Sequence, residues 1–168
     1  TTAGPHKVIV TSVSTGCIDS AETTVTINSN PDISITPLTS LCTNGAIETL
    51  SATPVGGNWY VNDITSNDQL DPTSLSATNH EIKYSYTDEN GCSDSDSVSV
   101  TINLAPEIDL GPSTFFCSGD SLSLNAGPGF SDYEWSTGDS DQVVYVDFPG
   151  PVSVVVTDAN GCIDSSSI

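Results

Sequence analysis

The chain has 168 residues, 36% of them hydrophobic, with 13 Gly, 10 Pro and no Met, which is too apolar for a disordered chain and ordinary for a β-rich one. Its 22 Asp and Glu face only Lys7 and Lys83, a net charge of −20. Such a surface repels phosphate backbones and anionic lipid, and no apolar run is long enough to span a bilayer as a helix, so neither nucleic-acid partners nor direct membrane insertion is expected.

In chain order, residues 1–30 hold the final part of one β repeat around STGCIDSAE at 14–22. Residues 31–105 hold a complete repeat, running from PDISI through NWYVND, HEIKYSYTD and TDENGCSDSD to SVSVTI. Residues 106–168 hold a further repeat, from PEIDL through YEWSTGD and PVSVVVTD to TDANGCIDSS, which stops just inside its last strand. Cys17 and Cys92 are 75 residues apart, Cys92 and Cys162 are 70 apart, and Pro31 and Pro106 are 75 apart. Cys42 and Cys117 each follow their Pro by 11, and Trp59 and Trp135 follow those cysteines by 17 and 18. Order, chemistry and spacing therefore repeat together. A sequence that begins and ends in mid-repeat is expected of a window cut from a longer array, and the odd cysteine count follows from the cut.

Within each repeat the apolar residues alternate. Ile82, Tyr84 and Tyr86 face one way and Lys83 and Ser85 the other; Val98, Val100 and Ile102 oppose Ser97, Ser99 and Thr101; Val152, Val154 and Val156 do the same. About seven such runs per repeat, punctuated by Gly, Pro, Asn and Asp and without helical periodicity, predict an all-β fold of two-sheet antiparallel sandwiches. TDENGC and TDANGC predict a tight hairpin between the last two strands, with Asn-Gly supplying positive φ. Pro in the short junctions INSNPDI and INLAPEI limits bending between repeats.

The frame of Pro-x-Ile, then Cys-x-Gly or Cys-x-Asn-Gly, then Tyr-x-Trp-Ser-Thr-Gly, then Val-x-Val-Thr-Asp-x-Asn-Gly-Cys resembles the immunoglobulin-like and PKD-like repeats of large cell-surface proteins of gliding and related Bacteroidota. The repeat from PEIDLGPSTFFCSGD onward matches best, whereas the preceding one departs at NWYVND. The resemblance implies tandem repeats in an extended array, export by the type IX route, an extracellular cell-surface location, and a role in adhesion or gliding motility.

Cys17, Cys42, Cys92, Cys117 and Cys162 form no CxxC or Cys/His cluster, so structural disulfides in an oxidising compartment are expected. Pairing within a repeat would join Cys42 to Cys92 and Cys117 to Cys162, closing loops worth about 3–4 kcal/mol each. In an immunoglobulin order, however, those partners sit at opposite poles, about 20 Å apart against the ~6 Å a disulfide spans. Pole geometry favours Cys42 with Cys162, a bond between repeats.

Each remaining candidate has two readings. Gly-Asp-Ser-Leu at 119–122 matches a lipase string, but no His follows residue 80 to serve as base, so it reads as a turn feeding a strand with Leu122 and Leu124 inward. His6 and His80, 11 and 12 residues before Cys17 and Cys92, read as strand-start residues. Asp88, Asn90 and Asp94, with Asp158, Asn160 and Asp164, offer hard oxygen ligands for calcium, though Asp and Asn are also what hairpin turns require. No other cofactor is expected. Trp59 and Trp135 read as core packing and not as sugar platforms, with Tyr60 or Tyr133 better placed for ligand contact.

The expected function is a non-enzymatic structural segment of an extracellular fibre or stalk of an adhesin. Its partners would be neighbouring repeats of the same chain, and surface glycans or other cells. The alternatives are a carbohydrate- or calcium-dependent binding module and an accessory domain of a secreted hydrolase.

Overall fold

A computed structural model describes residues 4–168; residues 1–3 of the first predicted segment lie outside the described residues. Strands β1 (Gly4–Thr11) and β2 (Ile18–Val25) form an antiparallel two-stranded sheet of their own. Val8, Ile9, Val10 and Ile18 on it are all exposed.

The next strands are β3 (Ser34–Ile35), β4 (Leu41–Cys42), β5 (Glu48–Thr49), β6 (Ala52–Thr53), β7 (Asn58–Val61), β8 (Ile64–Ser66) and β9 (Gln69–Leu70). A 3-10 turn at Pro72–Ser74 leads into β10 (Asn79–Thr87) and β11 (Ser93–Asn103). One sheet has the order β4-β11-β10-β7-β8, and the short pairs β3-β6 and β5-β9 face it. All pairs are antiparallel except β4, which runs parallel to the end of β11.

The predicted alternation is what closes this sandwich: Ile82, Tyr84, Val100 and Ile102 are buried from one sheet, and Ile35, Leu50, Ala52 and Leu70 from the other, around Trp59. Burying each large apolar side chain contributes about 1.5–3 kcal/mol. Trp59 and Tyr84 pack with ring centroids 4.6 Å apart.

Strands β12 (Leu122–Asn125), β13 (Asp132–Trp135), β14 (Val143–Val146), β15 (Ser153–Thr157) and β16 (Ile163–Ser167) build a second body. Its sheets are β13-β15-β16 and β12-β14. Leu124, Ala126, Val144, Val146, Val152, Val154 and Val156 surround Trp135 in a core that shares no residue with the first. Trp135 pairs across the ladder with Val154, as Trp59 does with Tyr84.

The hairpins correct one expectation. Thr87 pairs with Ser93 and Thr157 with Ile163, so the loops have five residues, and in each only the glycine, Gly91 or Gly161, has positive φ (83° in both). The two-residue turn with both φ positive lies instead between β7 and β8, at Asn62 (49°) and Asp63 (64°).

Candidate functional site

The two cores meet through the end of β4. Parallel pairing sets Leu41 beside Ile102 and Cys42 beside Asn103, at the end of β11 where the chain leaves the first sandwich. A turn closes there, with the Gly45 N–H donating to the Cys42 carbonyl (2.8 Å). The Ala105 N–H donates to Thr43 Oγ1 (2.9 Å), which holds the departing chain against the same turn.

The second sandwich presents its β15-β16 hairpin to this point. Asp158 Oδ1 accepts from the Asn160 N–H and the Cys162 N–H, each at 2.8 Å, while Asn160 Nδ2 donates to Oδ2 (3.3 Å). Cys162, fully buried, is disulfide-bonded to Cys42 with Cα atoms 5.7 Å apart and a separation of 120 in sequence. Asn44 Nδ2 adds a hydrogen bond to the Ile163 carbonyl (2.8 Å). Beside the bond lies a cleft of about 630 Å³ lined by Ser40, Glu48, Asp164 and Ser165, among others.

Strand geometry accounts for the pairing. Cys92 precedes the first residue of β11 and Cys42 lies beside the last, so at ~3.4 Å per residue the two are separated by roughly 37 Å, far beyond disulfide reach. Cys17, Cys92 and Cys117 are free thiols.

The first hairpin repeats the second atom for atom. Asp88 Oδ1 accepts from the Asn90 N–H (2.9 Å) and the Cys92 N–H (2.8 Å), and Asn90 Nδ2 donates to Oδ2 (3.3 Å). The Cys92 N–H chiefly, with Asn90 and Gly91, holds the Asp88 carboxyl below its ordinary value. At Asp158 partial burial pushes the carboxyl up, but the N–H groups of Cys162, Asn160 and Gly161 outweigh it and hold it low as well.

These bonds define what the calcium candidates do. The carboxylates of Asp88 and Asp158 are engaged by their own turns, Asp94 Oδ1 accepts from the Ser95 N–H (2.8 Å), and Asp164 Oδ2 accepts from the Ile108 N–H (3.0 Å). Among the described residues no group of three His, Cys, Asp or Glu could hold a metal ion.

His80 is more than a strand-start residue. It is buried, with Nδ1 2.7 Å from Asn62 Nδ2 and Nε2 2.9 Å from the Ser76 carbonyl. The Glu81 N–H donates to Asn62 Oδ1, which orients that amide so that its NH₂ faces the ring. Nδ1 therefore accepts and Nε2 donates. His6 is exposed and occupies a different rung: it lies five residues before the end of β1, whereas His80 lies seven before the end of β10.

Trp59 and Trp135 are core residues, and Trp135 Nε1 donates to the Asp141 carbonyl (2.8 Å). Tyr60 is half-buried in β7. Tyr133 is not an open platform: its hydroxyl donates to the Gly127 carbonyl (2.8 Å) and its ring packs edge-on to Phe130. The exposed tyrosine is Tyr145, which sequence reasoning did not single out. Ser121 is exposed just before β12, with Leu122 half-buried and Leu124 buried. Thr43, Asn44 and Asp164 in its bonding role were missed; the turn-forming Thr-Asn-Gly after Cys42 was the available signal for the first two.

No family model matches the sequence, and no curated protein matches it. Among solved structures, the chain is similar to SGBP-B of the Bacteroides ovatus mixed-linkage glucan utilization locus in complex with a mixed-linkage heptasaccharide, at 15% identity and a TM-score of 0.34, over 83% of this chain and 47% of that one. The chain thus spans about half of that protein's structure. It is also similar to a 1.5-MDa bacterial ice-binding adhesin, at 12% identity and a TM-score of 0.39, over 97% of this chain and 71% of that one.

Proposed function

We infer that this chain is a non-enzymatic, load-bearing segment of an extracellular surface fibre or stalk, in which immunoglobulin-like sandwiches are stapled in series. The Cys42–Cys162 disulfide carries this inference: it joins two bodies with separate cores instead of closing a loop within one. A disulfide of this kind suits an oxidising, extracellular location. Force applied along the chain passes through the bond and bypasses residues 43–161, so the strands from β5 to β15 are shielded from extension, while β3 and β16 lie outside the shielded loop. The −20 charge opposes lateral bundling and keeps the segment solvated.

Pulling the chain by its two ends in a single-molecule instrument tests this. Intact, it should release only residues 1–41 and 163–168, which include β3 and β16. With the bond reduced, about 400 Å more contour should appear, since 120 residues extend ~3.3–3.6 Å each. Release of both sandwiches from the oxidised chain would overturn the proposal.

A further inference from the structure

Trp59 and Trp135 hold equivalent places in the two sandwiches, but their indole N–H groups meet different surroundings. Trp135 Nε1 donates to the Asp141 carbonyl, in the segment ahead of β14 (2.8 Å). Trp59 is only 7% exposed, yet among the described residues nothing accepts from its Nε1. Every side-chain nitrogen and oxygen shut off from solvent there has a partner, so this N–H reaches solvent. It does so at a cleft of about 400 Å³ that Trp59 lines with Val55, Asn58, Ser66, Asn67 and Asp68. A donor on a buried ring is costly to leave unpaired, so an oxygen brought to it from a ligand gains more than one brought to the open surface.

The groups around the cleft narrow the ligand. Its backbone is already engaged: the Leu50 N–H donates to the Asp68 carbonyl (2.7 Å), the Thr36 N–H to the Ser51 carbonyl (2.9 Å) and the Gly57 N–H to Tyr84 Oη (2.6 Å). A peptide that binds by adding to a strand ladder finds these groups paired, and recognition falls to side chains. The indole N–H requires an acceptor, while the exposed Asp68 carboxylate requires a donor and, with the −20 charge, repels anions. An ammonium group brings donors but nothing for the indole. Neighbouring hydroxyls on a sugar ring bring both. Val55, 80% exposed, offers apolar surface to the C–H face of such a ring, and Gly56 and Gly57 put no side chain into the wall between Val55 and Asn58.

We propose that this cleft of the first sandwich binds a short neutral saccharide, with Trp59 Nε1 donating to one hydroxyl, the Asp68 carboxylate accepting from a neighbouring one, and Val55 covering the ring. The Trp59 ring itself remains core packing, 4.6 Å from Tyr84 between centroids, so its N–H edge serves the ligand and its face does not. The volume lies toward the small end of the roughly 300–1,000 Å³ usual for ligand pockets, which suits one end or a short stretch of a glycan. The site goes beyond the fibre reading and does not depend on it, since it uses no residue of the Cys42–Cys162 junction.

The chain has two tryptophans, so the isotope-labelled full chain gives two indole N–H signals in a proton–nitrogen correlation spectrum, which Trp59→Phe assigns. The probes are neutral oligosaccharides of glucose, galactose, mannose and xylose at millimolar concentrations. At least one should shift the Trp59 signal to saturation and leave that of Trp135 in place, whereas glucuronic acid, a sugar ring carrying a carboxylate, should shift neither. Asp68→Ala, which removes an exposed side chain belonging to neither core, should weaken the binding about tenfold or more. No saturable shift with any of these sugars, undiminished binding by Asp68→Ala, or an equal shift with the neutral peptide acetyl-Ser-Gly-Ser-amide would overturn the proposal. None of these outcomes touches the stapled-unit reading, which the pulling experiment tests separately.

Discussion

Cys42 and Cys162 lie 120 residues apart in sequence with Cα atoms 5.7 Å apart, and the chain between them contains every buried residue of the two hydrophobic cores except Ile35. A cross-link over so long a loop acts mainly on the unfolded chain, by removing conformations that would otherwise be available to it. While either sandwich remains folded the loop is already shortened, so the effect is felt most when the second one unfolds. The double substitution Cys42→Ala with Cys162→Ala should therefore lower stability by about 4–5 kcal/mol summed over both unfolding steps. Urea titration followed by circular dichroism measures the sum. Both sandwiches should still form in the variant, because neither core draws on the sulfur atoms.

The separation of the cores makes a second prediction possible. Trp135 is 4% exposed and packs only within the second core, so Trp135→Ala should cost about 3–5 kcal/mol, most of what so small a body possesses. The fluorescence of Trp59, in the first core, should keep its own unfolding midpoint within error. A midpoint that falls with the loss of Trp135 would mean that the two bodies unfold as one unit.

The strands and the inward face were legible because alternation is a local property: Val98, Val100 and Ile102 face the core as their spacing demands, and so do Val152, Val154 and Val156. The pairing of Cys42 with Cys162 was favoured because in an immunoglobulin order the two cysteines of one repeat sit at opposite poles, and the structure joins those same two residues. Less legible were contacts that depend on where two distant segments come to rest. Nothing local marks Asn62 as the partner of His80, or Asp164 as the acceptor for the Ile108 N–H across 56 residues. The hairpin turn was misread for a subtler reason. Asn-Gly ordinarily signals two left-handed residues, but Asp88 and Asp158 draw the Asn N–H inward and leave only the glycine in that conformation.

Those two aspartates give a pH prediction. Both carboxyls titrate below the ordinary 3.8, so their turns are favoured while the groups are charged. A depressed folded-state value means that the stabilisation is complete above the unfolded value and is lost as pH falls through the folded one. Amide exchange at Cys92 and Cys162 should therefore be protected from neutral pH down to about 5 and should lose protection only below 3.8. Asp158→Asn removes the charge, so protection at Cys162 should fall at neutral pH and lose its acid dependence. An unchanged acid profile in that variant would show that another group governs the turn.

Gly57 offers a test of close packing in the first sandwich. Its N–H donates to Tyr84 Oη (2.6 Å), which in turn donates to the Pro54 carbonyl (2.7 Å), so a single buried phenol ties the β6-β7 connection to β10. A Cβ placed on Gly57 would lie 2.5 Å from Tyr84 Cζ and would overlap the Ser85 carbonyl oxygen. Neither can retreat cheaply, because Ser85 is paired with Asn58 in the ladder and Tyr84 packs on Trp59. Gly57→Ala should therefore destabilise the first sandwich by at least about 1–3 kcal/mol, the usual cost of overpacking. Tyr84→Phe keeps the ring but leaves the Gly57 N–H and the Pro54 carbonyl without a partner, at about 1–3 kcal/mol. Because the ring and the Ser85 carbonyl both remain, Tyr84→Phe should rescue little of the Gly57→Ala defect. Urea midpoints read from Trp59 fluorescence decide the matter: if the double variant is as stable as Tyr84→Phe alone, the clash at Gly57 lies with the hydroxyl and not with the ring and backbone.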